Sequence, residues 1–121
     1  MTEVTAKKIL LVDDSRVARL TLQYLIKLND ETIEITQAAN GDEALAVFQP
    51  GAFDIALLDF NMPGINGLEL AHLIREQDTA IRLVLVTANI QNAIVDRAKA
   101  MVVDFFGKPV DPDQLANLLK E

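Results

Sequence analysis

Cysteine is absent from the chain, which excludes a disulfide framework and thiol chemistry and makes a cytoplasmic address the expectation. Long apolar runs are missing too. No stretch approaches about 18 consecutive apolar residues, and the opening MTEVTAKK lacks the apolar centre of a secretory signal, so no membrane insertion is predicted. Positive charge is in deficit: 11 Lys and Arg against 18 Asp and Glu leave a net charge of −7, which disfavours phosphate backbones and predicts no direct nucleic-acid binding. Only 5 Gly and 4 Pro interrupt a composition that is 50% hydrophobic and 24% charged, which is globular rather than disordered. The 121 residues suit one domain over 1–121 and leave no room for a second.

What is present is an alternation of apolar runs with helical patterns. Ile9 to Val12 predicts a strand, and after Ser15 the residues Val17, Leu20, Tyr24 and Leu28 recur at helical spacing. Residues 32–38 alternate around Ile33 and Ile35; Asn40-Gly41 and Asp42 then precede Ala44, Leu45 and Phe48. Phe53 to Leu58 predicts a third strand, with a helix from Asn66, where Asn66 and Glu69 have capping-box spacing. Ile81 to Val86 precedes a helical set, Ile90, Ile94, Val95 and Ala98. Val102 to Phe106 ends the series, followed by a helix that Asp111 can cap, with Pro112 first and Val110 able to staple onto Leu115. Strands that are apolar at nearly every position suit a sheet covered on both faces, so the fold class is a doubly wound α/β domain of five β-α units.

The charged residues fall at matching places in this scheme. Asp13 and Asp14 follow strand one, Asp59 ends strand three, Thr87 ends strand four and Lys108 follows strand five. Ligands of open parallel sheets bind beyond the carboxyl ends of the strands, so all five residues should meet there. Two carboxylates about 4 Å apart repel by roughly 4 kcal/mol at an effective dielectric near 20, and one lysine offsets part of this. The cluster therefore implies either raised carboxyl pKa values or a bound cation, and oxygen ligands without His or Cys suit Mg²⁺.

Taken together, VDD at 12–14, LLDFNMPGING at 57–67, VTA at 86–88 and FGKP at 106–109 resemble the receiver domain of two-component response regulators over the whole chain. The resemblance implies a flavodoxin-like (βα)5 fold with strand order 2-1-3-4-5. It implies that Asp59 accepts a phosphoryl group from a sensor histidine kinase or a histidine phosphotransfer protein. Asp14 would bind Mg²⁺ directly, Asp13 through water, and Asn61 through its backbone carbonyl. Lys108 would pair with Asp59 and then with the phosphoryl oxygens, and Lys108-Pro109 matches a cis peptide bond. Thr87 and Phe105 match the hydroxyl and aromatic pair that moves on phosphorylation. That movement changes a surface made by the fourth helix, strand five and the last helix, which a downstream protein target or a second copy of the chain would read. Met62-Pro63-Gly64 would form a sharp turn, and Gly67 would permit close approach at the next helix start.

The opening VDDSR and the stop at Glu121 favour a stand-alone receiver of the chemotaxis kind, a switch rather than an enzyme. A phosphorelay intermediate and a receiver cut from a longer regulator are the rivals. A Mg²⁺-dependent phosphohydrolase would carry Asp where Asn61 stands, and a silent receiver-like module would lack one of the acidic residues or Lys108. Competing local readings are that Asp13-Asp14 cap the first helix, that Thr87 is only a strand-end hydroxyl and that Phe105 is plain core. His72 is expected to be a partly exposed structural residue, and Arg16 and Arg19 a solvated helix face. The chain departs from many receivers in reading Ala-Met-Val-Val at 100–103 and in carrying Phe105 rather than Tyr. Met101 is expected to fill core, and the resemblance places Asn61 and Asn89 as flanking the site, at positions where the family tunes phosphate lifetime.

Overall fold

The computed structural model describes residues 7–88, 96, 97, 99, 100 and 103–120. Five strands, β1 (Lys8–Val12), β2 (Glu34–Ala38), β3 (Ile55–Asp59), β4 (Arg82–Thr87) and β5 (Val103–Gly107), form one parallel sheet in the order β2-β1-β3-β4-β5. This is the expected order. Four helices are delimited among the described residues: α1 (Arg16–Asn29), α2 (Gly41–Val47), α3 (Gly67–Gln77) and the C-terminal α4 (Pro112–Leu119). Asp96, Arg97, Lys99 and Ala100 are also helical, whereas Asn89, Ile90, Ile94, Val95, Ala98, Met101 and Val102 lie outside the described residues.

The continuous apolar strands are explained by two cores, one on each face. Leu10, Val12, Ala56, Leu58, Leu83 and Leu85 join Ala44, Leu68, Ala71 and Ile74 from α2 and α3. Ile9, Leu11, Ile55, Leu57, Val84 and Val86 join Leu22 and Ile26 of α1 and Leu115 and Leu118 of α4. Neighbouring strand residues thus alternate between the cores, as a period of two requires. Each fully buried Leu or Ile contributes roughly 1.5–3 kcal/mol, so the central strands are the rigid part on which a site can be mounted.

Helix ends follow local chemistry. Ser15 caps α1, its Oγ accepting from Ala18 N at 3.2 Å, so the Asp13-Asp14 pair is not the cap. Asn66 and Glu69 form the expected capping box on α3, at 2.8 and 3.2 Å. Asp111 caps α4 with Pro112 in its first turn, and Val110 packs on the core that buries Leu115. In α1, however, the stripe that predicts the helix is not the face it buries. Val17, Leu20, Tyr24 and Leu28 are exposed, while Leu22 and Ile26 face the sheet. Strand three also runs later than its apolar pattern suggests, because Phe53 stacks on Phe48 at 6.3 Å between ring centroids and the Asp54 carboxylate accepts from Lys8 N at 2.8 Å.

Candidate functional site

The strand order reverses between β1 and β3, and the acidic residues gather at the carboxyl ends of those two strands. Each of Asp13, Asp14 and Asp59 offers a carboxylate oxygen within 4.8 Å of the others. Asp13 and Asp59 are buried, at 4% and 5% exposure, and Asp14 is open to solvent. Lys108, just past β5, reaches across the sheet and donates from Nζ to Asp59 Oδ1 at 3.0 Å and to Asp13 Oδ2 at 3.1 Å.

The electrostatics are unequal. Burial, with Asp13 and Asp14 nearby, pushes the Asp59 carboxyl above its ordinary value despite the hydrogen bond from Lys108. Burial also opposes the Lys108 ammonium, but its bonds to Asp59 and Asp13 outweigh that and hold its pKa above the usual range. One ammonium is therefore shared by two carboxylates, with a third beside them. Oxygen donors alone, one side open to water and no His or Cys fit a small hard cation such as Mg²⁺, which keeps several of its waters.

Backbone geometry sets Asp59 at the mouth of this site. Phe60 N donates to Val86 O at 3.1 Å, and Gly67 N returns to Phe60 O at 3.0 Å, closing the loop that follows β3. A Cβ on Gly67 would stand 2.3 Å from the Asp59 carbonyl oxygen, so the expected close approach is real. Gly64 takes the turn at φ +79°, where a side chain would be strained. A second close approach was not legible in the sequence: a Cβ on Gly41, at the start of α2, would stand 2.3 Å from Ile65 Cγ1. Asn61 is exposed two residues beyond Asp59.

Thr87 is fully buried at the end of β4, and its carbonyl accepts from Lys108 N at 3.0 Å. Phe105 lies two residues from the end of β5, partly buried against the core shared with α2 and α3. The Lys108-Pro109 peptide bond is cis, as the resemblance implies. His72 is exposed on α3 and pairs with Glu76 at 2.9 Å, away from the carboxylates. Arg16 is solvated, whereas Arg19 is half-buried and bonded: its Nη1 donates to Asp13 O at 2.6 Å and its Nε to Gln37 Oε1 at 3.0 Å. The usable signal for Arg19 was its place in the first turn after the acid pair, since long helical side chains lean toward the helix N-terminus.

The model of the response regulator receiver domain matches residues 9–120. The chain is 32% identical over 116 residues to sporulation initiation phosphotransferase F of Bacillus subtilis, covering 95% of this chain and 92% of that protein. It is 37% identical over 117 residues to the alginate biosynthesis transcriptional regulatory protein AlgB of Pseudomonas aeruginosa, covering 93% of this chain but only 26% of that protein. Among solved structures, chemotaxis protein CheY4 of Vibrio cholerae superposes with a TM-score of 0.83 at 30% identity, over 96% of this chain and 98% of that one. Sheet order, carboxylate cluster and sequence match converge, and the chain belongs to the response regulator receiver domain family.

Proposed function

We propose that residues 1–121 form one receiver unit, a cytoplasmic signalling switch in which Asp59 accepts a phosphoryl group from a histidine of a sensor kinase or phosphotransfer protein. The observation that carries this is the cluster of Asp13, Asp14 and Asp59 with Lys108 shared between two of them. A carboxylate attacks phosphorus only when repulsion between anions is suppressed. Mg²⁺ bound by Asp14, Asp59 and the Asn61 carbonyl, with Asp13 reaching it through water, would supply most of that neutralisation. Lys108 supplies the rest: it leaves Asp59 Oδ1 for the phosphoryl oxygens as the bond from phosphorus to imidazole nitrogen breaks and the bond to Asp59 forms. The imidazole departs with the bonding electron pair.

Thr87, buried at the end of β4, then turns its hydroxyl to the phosphoryl group, and Phe105 follows into the space it leaves. Because Phe105 stands on β5, its movement would alter the surface of β5, α4 and the predicted helix over Ile90 to Ala98. A protein target, or a second copy of the chain, preferring one arrangement would read the state. The chemistry is limited to self-phosphorylation and self-dephosphorylation, so the domain is a switch rather than an enzyme.

The similarity to CheY4 over nearly the full length of both chains supports a chemotaxis-type role. The similarity to phosphotransferase F, also over nearly all of both chains, favours the second reading, a relay that hands the phosphoryl group on to another histidine. The test is incubation with Mg²⁺ and acetyl phosphate followed by intact mass. One phosphoryl adduct that Asp59→Asn abolishes is expected. An adduct that survives in Asp59→Asn, or no adduct in the unaltered protein, overturns the assignment.

A further inference from the structure

Asp13 has each of its polar groups engaged. Its N–H donates to Ala38 O at 3.1 Å, Oδ1 accepts from Ser15 N at 2.8 Å, and Oδ2 accepts from Lys108. The remaining group, its carbonyl, accepts from Arg19 Nη1 at 2.6 Å. That carbonyl shares a rigid planar peptide with the N–H of Asp14, so holding its oxygen fixes the orientation from which Asp14 starts. Asp14 is exposed, so burial does little to fix its side chain. The guanidinium is itself braced. Nε donates to Gln37 Oε1 at 3.0 Å on β2, and Gln37 Nε2 donates to Gln23 Oε1 at 2.6 Å back on α1. The brace thus ties β2, α1 and the peptide between the two acidic residues.

Resting on the receiver reading above, we infer that Arg19 is a positioning residue for the cation site: its planar fork, braced by Gln37, fixes the Asp13-Asp14 peptide and so pre-orients the Asp14 carboxylate for Mg²⁺. Only a planar, multi-donor group spans both acceptors at once, and a lysine ammonium in its place would lose the fixed geometry. Groups that orient a ligand without touching the metal are worth about 10- to 100-fold in metal affinity.

Charge and positioning predict opposite signs. A cation beside the site repels Mg²⁺, so if Arg19 acted only through its charge, Arg19→Gln would tighten Mg²⁺ binding. If it positions Asp14, Arg19→Gln weakens binding, and Arg19→Lys, which keeps the charge, weakens it as well.

The experiment is a Mg²⁺ titration of the full chain, followed through the amide resonances of Asp13, Asp14 and Asp59. The expected result is an affinity about tenfold lower in Arg19→Gln and Arg19→Lys and a smaller loss in Gln37→Leu. Phosphorylation by acetyl phosphate, read by intact mass, should slow at limiting Mg²⁺ and recover at saturating Mg²⁺, which general damage to the fold would not do. Should Arg19→Gln fail to fold, Arg19→Lys decides. Unchanged or tighter Mg²⁺ binding in the folded variants overturns the inference and leaves the receiver reading intact. Absence of Mg²⁺ binding by the unaltered protein overturns the receiver reading, and the inference with it.

Discussion

Lys108 Nζ stands 3.0 Å from Asp59 Oδ1, and this contact joins the end of β5 to the end of β3 across β4. The same ammonium also serves Asp13, so its removal leaves two buried carboxylates without the cation they share. Lys108→Ala should therefore cost about 1–2 kcal/mol at neutral pH, a figure kept modest because the lysine is partly solvated. Mg²⁺ can replace the missing charge. Thermal melts with and without Mg²⁺ should show a larger Mg²⁺-dependent rise in Tm for the variant, while acetyl phosphate labels it far more slowly. Equal rises in both proteins would separate Lys108 from the cation site.

Two buried aspartates should respond to pH with opposite signs. Asp59 titrates above the ordinary 3.8 because it is buried among other carboxylates. Above pH 3.8 the native state therefore holds more protons than the unfolded one, so stability falls as pH rises from there through the raised native value. Asp78 titrates below 3.8, because its carboxylate accepts from Gly51 N at 2.9 Å and from Ala80 N and Ile81 N at 2.9 and 3.1 Å. Its contribution is full above pH 3.8 and is lost as pH falls through the lowered native value. Denaturation at pH 7 without Mg²⁺ should show Asp59→Asn more stable by on the order of 1 kcal/mol and Asp78→Ala less stable by about 1–3 kcal/mol. Below pH 3 the Asp59→Asn gain should vanish and the Asp78→Ala loss should shrink; differences of the same size at both pH values would contradict the assignment.

Two glycines hold the loop after β3, and they should fail differently. An added Cβ on Gly67 meets backbone, the Asp59 oxygen at 2.3 Å and carbon at 2.8 Å, which cannot move without displacing the carboxylate. Gly67→Ala should cost about 2–3 kcal/mol and no side-chain truncation should rescue it. The nearest atoms to an added Cβ on Gly41 belong instead to the side chain of Ile65. Gly41→Ala should cost about 1–2 kcal/mol, and combining it with Ile65→Ala should recover part of this, a non-additive result in a double-mutant cycle. Strict additivity would place the strain elsewhere.

These glycines also mark where the sequence stopped being legible. The strands, the acid pair, Asp59 and Lys108 could be read because each depends on local pattern: apolar runs, capping spacing, and charges that end those runs. Gly67 could be read because it sits eight residues after Asp59 in the same loop. Gly41 could not, since its neighbour Ile65 is distant in sequence and only the packing of α2 against that loop brings them together. The face of α1 failed for a related reason. Apolar residues recur on both of its sides, and periodicity alone does not say that Leu22 and Ile26 meet the sheet while Val17 and Tyr24 meet solvent. Arg19 read as a solvated cation because its acceptors, a backbone carbonyl and Gln37, carry no charge pattern.

The proposed switch makes the sharpest demand on Thr87. It is fully buried at the end of β4, where it pairs in register with Gly107, and Phe105 lies two residues earlier on β5 opposite Leu85. Thr87→Val keeps the branched shape and removes only the hydroxyl, so the fold should lose about 1 kcal/mol while Asp59, Asp14 and Lys108 stay in place. Acetyl phosphate should still give the phosphoryl adduct by mass. Beryllofluoride with Mg²⁺ should shift the amide resonances of Phe105 and its β5 neighbours in the unaltered protein and shift them much less in Thr87→Val. Equal shifts in the two proteins would mean that Phe105 senses the phosphoryl group by a route that does not pass through the Thr87 hydroxyl, and the proposed order of movement would fall.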